Sequence, residues 1–248
     1  MAYWPNRRIR RGLSIGLFAA MIAVIIIYKL PEQTGISGPM PVGVDVSHHQ
    51  GAIDWDALAA DNVSFAYIKA TEGGDWVDTR FAENWRAAKR TPIARGAYHF
   101  FTLCTSAQAQ AANFIRTVGP LDNDLPPALD LEHMGPCREG PTMQTPARDA
   151  ELFLDILEDH YGVRPIIYTT REFHDAHLAA MTGERFWVRS ILREPSWRKN
   201  DWIVWQYNFR GQRAGVSGPI DLNRFNGDKQ ALSALRVSGP GSACFRAR

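Results

Sequence analysis

The sequence predicts an α/β barrel, and three observations predict it. Eight short runs rich in Val, Ile, Tyr, Phe and Trp are bounded by turn residues. The first five alternate with helical patterns, as a parallel sheet requires. The length, 248 residues, suits one such barrel.

The first strand is expected at Val42–His48 and the second at Phe65–Thr71. Asp78 is placed to cap a helix burying Phe81, Trp85 and Ala88. A third strand follows at Arg95–Phe101, then a helix opened by Ser106 and running through Ile115. The fourth strand is Ala128–Glu132. The clearest helix starts at Thr145 (N-cap) and Pro146 and ends at Gly162. Its apolar residues, Ala150, Phe153, Leu154, Leu157 and Tyr161, recur at i, i+3, i+4, i+7 and i+11. A fifth strand, Pro165–Thr170, precedes a shorter amphipathic piece at Glu172–Met181. The last strands are Arg185–Ser190, Trp202–Tyr207 and Ile220–Phe225. The gaps between them, 191–201 and 208–219, are too short and too rich in Pro and Gly for crossover helices. The barrel's last quarter is therefore expected to lack helices.

Composition is ordinary for a globular chain, with 45% hydrophobic and 22% charged residues, which sets aside disorder and coiled coils. The net charge of +2 hides an asymmetry. Arg7, Arg8, Arg10, Arg11 and Lys29 stand in residues 1–30 with no acid. Setting those five aside from 28 Lys and Arg leaves 23 bases against 26 acids, a net of −3. A body of that charge, with no basic stripe, is a poor nucleic-acid binder. Leu13–Tyr28 is an uncharged run of 16 residues behind the arginines, read as an uncleaved membrane anchor in preference to a cleaved signal peptide. Either places the rest of the chain outside the cytoplasm. The expected organisation is anchor 1–30, linker 31–40, barrel 41–228 and a C-terminal tail 229–248 that begins with a short helix. Cys104, Cys137 and Cys244 lack zinc-type spacing; Cys104 and Cys137 pair only if the compartment is oxidising.

In a barrel of parallel strands the chemistry sits at the strands' C-terminal ends. Those ends hold Asp45, Glu72, Asp130, Glu132 and Asp221, together with Tyr98 and Phe100. Asp130 and Glu132 are two apart, so they share one face while Leu129 and Leu131 take the other. Paired carboxyls titrate apart, which supplies the acid and the base that glycoside hydrolysis needs. The charge of Asp130 is expected to hold the proton on Glu132 while Asp130 stays ionised. Their spacing, roughly 6.6 Å along a strand, falls between the retaining and inverting ranges. Closure of the barrel makes Asp45 and Asp221 neighbours. Tyr98, Phe100, Tyr168, Trp187, Trp205 and Tyr207 are candidate platforms for sugar faces. No metal is expected: His48 and His49 are adjacent and so point to opposite faces, and neither H-x-H nor H-E-x-x-H occurs. A serine triad is disfavoured by the lack of G-x-S-x-G.

Eight segments occur in the order seen in glycoside hydrolase family 25: GVDVSHHQG (43–51), IDW (53–55), YIKATEG (67–73), GAYHF (96–100), LDLE (129–132), IYT (167–169), WQY (205–207) and DLN (221–223). The chain resembles these N-acetylmuramidases from about Pro41 to Gly227. The resemblance implies a (β/α)5(β)3 barrel and hydrolysis of the β-1,4 bond between N-acetylmuramic acid and N-acetylglucosamine in peptidoglycan; separately, no cofactor and a monomer are expected. It implies Glu132 as general acid, Asp130 as the carboxylate facing the positive centre, and Asp45 and Asp221 as supporting acids. The expected substrate contacts are Tyr98, Phe100, Tyr168, Trp205, Gln206, Tyr207 and Glu72, on or near the strand ends. One position departs: Arg189 stands where relatives usually keep a small residue. A non-catalytic glycan-binding barrel and a hydrolase of another N-acetylated polysaccharide such as chitin are the competing readings. Retention of all four carboxylates disfavours the first, and the lack of D-x-x-D-x-D-x-E disfavours the common chitinase family.

Overall fold

A computed structural model describes residues 40–133, 146–191, 193–198 and 202–237. The expected N-terminal anchor, residues 31–39 of the linker, the Thr145 cap, Cys137 and Cys244 lie outside them. No helix among the described residues is long and apolar enough to cross a membrane.

Eight strands close into a barrel: β1 (Val42–Val46), β2 (Val63–Glu72), β4 (Ala94–Phe100), β5 (Ala128–Leu131), β6 (Ile166–Thr170), β7 (Phe186–Arg189), β8 (Trp202–Gly211) and β9 (Ile220–Phe225). The ladder runs from β2 through β4, β5, β6, β7, β8 and β9 to β1, and β1 pairs with β2 to close it. A two-residue strand, β3 (Trp76–Val77), folds back antiparallel on the end of β2. Helices fill the first five connections: α1 (Trp55–Ala60), α2 (Phe81–Ala88), α3 (Ala107–Val118), α4 (Pro146–Tyr161) and α5 (Arg171–Phe173), which runs into a π-turn at His174–Leu178. A last helix, α6 (Lys229–Ala234), follows β9.

Local chemistry explains most boundaries. Ser106 Oγ accepts from Ala109 N and starts α3, as its sequence position predicts. Asp54 accepts from Asp56 N and Ala57 N and starts α1, a helix the apolar periodicity was too short to reveal. Asp78 holds the turn that opens α2, its Oδ1 accepting from Arg80 N at 2.9 Å, and it has a second role. Its Oδ2 accepts from His48 N and lies 2.8 Å from His48 Nδ1, tying the loop after β3 to the end of β1.

The last strand corrects the all-parallel expectation. β9 runs antiparallel to both β8 and β1. The β8–β9 connection is too short for the crossover a parallel strand needs, so the chain turns back as a hairpin. Asp221 is thus near the start of its strand, and the reversal brings that start to the same barrel end as the tips of the parallel strands.

Aromatic side chains fill the interior. Tyr67 stacks on Trp187 with centroids 4.9 Å apart, and Tyr168 meets Trp187 edge-on at 4.8 Å. Gly96 makes room for Tyr67, since a Cβ there would lie 2.4 Å from its ring. Outside the barrel, Arg95 on β4 forms a buried ion pair with Asp124 (Nε–Oδ1 2.6 Å) and stacks on Trp85 of α2. At the barrel's mouth these layers leave an open cavity.

Candidate active site

The mouth holds a cavity of about 270 Å³ lined by Asp45, Lys69, Tyr98, Phe100, Asp130, Glu132, Tyr168, Trp187, Arg189, Gln206 and Asp221, among others. Strand alternation explains the cast. On β4, Tyr98 and Phe100 face inward while His99 points outward, buried against Phe153 of α4 at 5.0 Å and beside Thr71 Oγ1 at 2.7 Å. Burial holds the His99 pKa down to about 4. On β5, Asp130 and the following Glu132 enter the cavity between buried Leu129 and Leu131.

A chain of directed hydrogen bonds fixes Asp45. Trp187 Nε1 can only donate, and does so to Asn223 Oδ1 at 2.7 Å. That turns Asn223 Nδ2 toward Asp45 Oδ2, 2.7 Å away. From the other side, Tyr168 OH donates to Gln206 Oε1 (3.0 Å), which turns Gln206 Nε2 onto the same Asp45 oxygen at 3.0 Å. Asp45 is therefore an acceptor whose position is set by four strands. Asp221 is its direct partner across β1 and β9.

All four carboxyls are pushed above the ordinary range, and burial is the first cause for each. Asp221 rises to about 9, through burial and then the charge and hydrogen bond of Asp45. Asp45 rises less freely because Asn223, Gln206 and Asp221 donate to its ionised form. Asp130 is raised well above carboxylate values by burial and then by the charge of Glu132, with Lys69 opposing. Glu132 is raised by burial against the cations Arg189 and Lys69. This corrects the expected cause: burial is what raises Glu132, and between the two it is the charge of Glu132 that raises Asp130. Asp130 Oδ1 and Glu132 Oε2 are buried without a hydrogen-bond partner among the described residues. Both side chains line the cavity, with these two oxygens turned away from its open space.

Of the expected substrate contacts, Tyr98, Phe100, Tyr168 and Gln206 line the cavity, whereas Trp205, Tyr207 and Glu72 do not. Trp205 and Tyr207 flank inward-facing Gln206 on β8 and therefore point outward. Trp205 Nε1 donates to Ser190 O at 2.6 Å, and Arg224 lies over the Tyr207 ring. Glu72 acts one step back, with Oε2 2.7 Å from Lys69 Nζ. Lys69 itself was not singled out from the sequence. It lies over the rings of Trp76 and Phe100, and the signal for it was the one cation in a strand that is buried along most of its length.

An eight-stranded barrel with five helical crossovers and four carboxyls converging at its mouth defines a glycoside-hydrolase type of site. Residues 44–216 match the family model for Glycosyl hydrolases family 25. The chain belongs to that family and is a glycoside hydrolase. It is 37% identical over 200 residues to the uncharacterized protein YegX of Escherichia coli strain K12, covering 78% of this chain and 72% of the relative. It is 36% identical over 212 residues to Lysozyme M1 of Streptomyces globisporus, covering 78% and 70%. A family 25 glycosyl hydrolase structure from Bacillus anthracis superposes with a TM-score of 0.73 at 34% identity, covering 83% of this chain and 98% of that one.

Proposed function

We propose that the chain is a muramidase that cleaves the β-1,4 bond between N-acetylmuramic acid and N-acetylglucosamine in peptidoglycan. The observation that carries this reading is the buried Asp130–Glu132 pair, both carboxyls raised in pKa and both side chains lining a cavity walled by Tyr98, Phe100 and Tyr168. Similarity to Lysozyme M1 supports the substrate class.

In this reading Glu132, one pleat beyond Asp130 and longer by a methylene, protonates the leaving oxygen. Loss of that proton leaves two carboxylates, and the oxocarbenium-like centre forming beside Asp130 offsets the second charge. Lys69 and Arg189 contribute the rest of the positive field. Asp221, neutral below about pH 9, donates to Asp45 and keeps the far wall polar without adding a charge. Tyr98, Phe100, Tyr168 and Gln206 contact the sugars.

The test is digestion of purified peptidoglycan and of chitin with residues 41–248. New reducing ends from peptidoglycan at a rate far above that from chitin are expected. Tight binding of peptidoglycan without new ends would instead identify a non-catalytic barrel, and faster release from chitin another hydrolase.

The barrel is read as extracytoplasmic, anchored through residues 1–30. The arginines before Leu13–Tyr28 support this orientation. So does Cys104, which is disulfide-bonded, a state that persists in oxidising compartments. A reporter that works only in the cytoplasm, fused after Gly227, should be silent; activity would refute export.

A further inference from the structure

Arg189, at the end of β7, stands on the wall between the catalytic cavity and a second cavity of about 590 Å³. Among the described residues it alone borders both. The second cavity is also lined by Thr170, Arg171, Arg193 and Trp197, with Glu172 and Glu194 as its acids. Arg171 is paired with Asp175 (Nε–Oδ2 3.3 Å), which leaves Arg189 and Arg193 as the cations that face Glu172 and Glu194 there. Its floor is built: Trp197 packs on the His174 ring at 4.9 Å, and Arg198 Nε donates to His174 Nε2 at 3.0 Å.

The Arg189 guanidinium is held loosely by the protein. Its Nη1 is 3.7 Å from Glu132 Oε2, too far for a hydrogen bond, and its centre lies 5.5 Å from the exposed Phe209 ring. No described residue accepts a hydrogen bond from it. A guanidinium fork with spare donors beside an open cavity suits a planar anion, above all a carboxylate.

We propose that Arg189 reads a carboxylate borne by the glycan next to the scissile bond, with the second cavity receiving the substituent that carries it. The inference rests on the muramidase reading, because muramic acid differs from glucosamine by a lactyl ether whose carboxyl is a free carboxylate where the stem peptide has been removed and a neutral amide where it has not, so the residue would favour peptide-stripped strands. It also gives the negative charge a use. Glu132 is faced by Asp130 beside it, Asp45 from β1, Lys69 from β2, Tyr168 from β6, Arg189 from β7 and Asp221 from β9. Of these, Arg189 is the cation nearest its unpaired oxygen. A substrate carboxylate on Arg189 withdraws that positive charge, so Glu132 keeps its proton to higher pH and is armed when an anionic glycan is in place.

Glycan strands stripped of peptide provide the test, used once with free muramic carboxyls and once with the same carboxyls converted to methylamides. Wild-type enzyme should favour the free acid in kcat/KM by about tenfold, the scale of one charge-assisted hydrogen bond. Arg189→Gln should bring the ratio near one and move the alkaline limb of its pH profile upward. Arg189→Lys, keeping charge without the fork, should retain part of the preference. An equal ratio in wild type and Arg189→Gln overturns the proposal. Hydrolysis of neither polymer by wild type, with both still bound, would overturn the muramidase reading itself.

Discussion

Glu132→Gln should lower turnover on peptidoglycan by about 10²–10⁴-fold, the usual contribution of general acid catalysis, while glycan binding survives. The amide fills the same space at the cavity wall and removes only the proton. Protonation matters because the sugar alkoxide is a poor leaving group. An activated aryl glycoside, whose phenolate departs without a proton, should therefore regain much of its rate in Glu132→Gln. Asp130→Asn should be slow on both substrates, because the carboxylate facing the positive centre is needed whichever group leaves. Rescue in the Asp130 variant would reverse the two roles. Wild-type rates in both variants would remove the pair from the mechanism.

Asp45→Asn and Asp221→Asn should each cost on the order of tenfold or more in kcat/KM with the fold intact. In Asp45→Asn the amide can still accept from Asn223 and Gln206, but the charge that helps hold the proton on Asp221 is gone. Asp221→Asn has a second signature, in stability. The folded pKa of Asp221 is about 9 against an unfolded value near 4. Between those values the folded state binds the extra proton, so its contribution is full below about pH 4 and is lost as pH rises toward 9. Asp45, Asp130 and Glu132, also raised, act in the same sense. The wild-type melting temperature should fall between pH 5 and pH 9, and the fall should be shallower in Asp221→Asn. A steeper fall in the variant would show that Asp221 is ionised in the native protein at neutral pH. Equal activity of both variants and wild type would make these acids bystanders.

Much of this site could be read from the sequence because buried strands are written as apolar runs, in which a carboxylate is conspicuous. Asp45, Asp130 and Asp221 stand out for that reason, and the i, i+2 spacing put Asp130 and Glu132 on one face. Direction was the feature misread. The strand pattern of Ile220–Phe225 is the same whether it runs up or down, and only its short, Gly-rich connection to β8 marks the reversal. The aromatics of W-Q-Y were misplaced for a related reason. Period-2 alternation sets Trp205 and Tyr207 opposite Gln206, but the sequence does not say which face looks inward. The hydrogen bonds of Gln206 to Tyr168 and Asp45 settle it. Asp78 was legible as a helix-opening acid because it precedes an amphipathic stretch, but its second partner, His48, is 30 residues away and has no local signal. The cause of the raised Glu132 pKa was equally out of reach, since desolvation depends on what surrounds the group once the barrel has closed.

The most direct test of the proposed cleavage reads the sugar left at the cut. Peptidoglycan digested with the enzyme is reduced with borohydride, hydrolysed, and its newly formed sugar alcohol is identified by mass spectrometry. Cleavage after muramic acid predicts that the new reducing ends become N-acetylmuramitol or its hydrolysis product, and that they disappear in Glu132→Gln. Glucosaminitol in their place, or an equal yield from the Glu132 variant, would contradict the muramidase site described above.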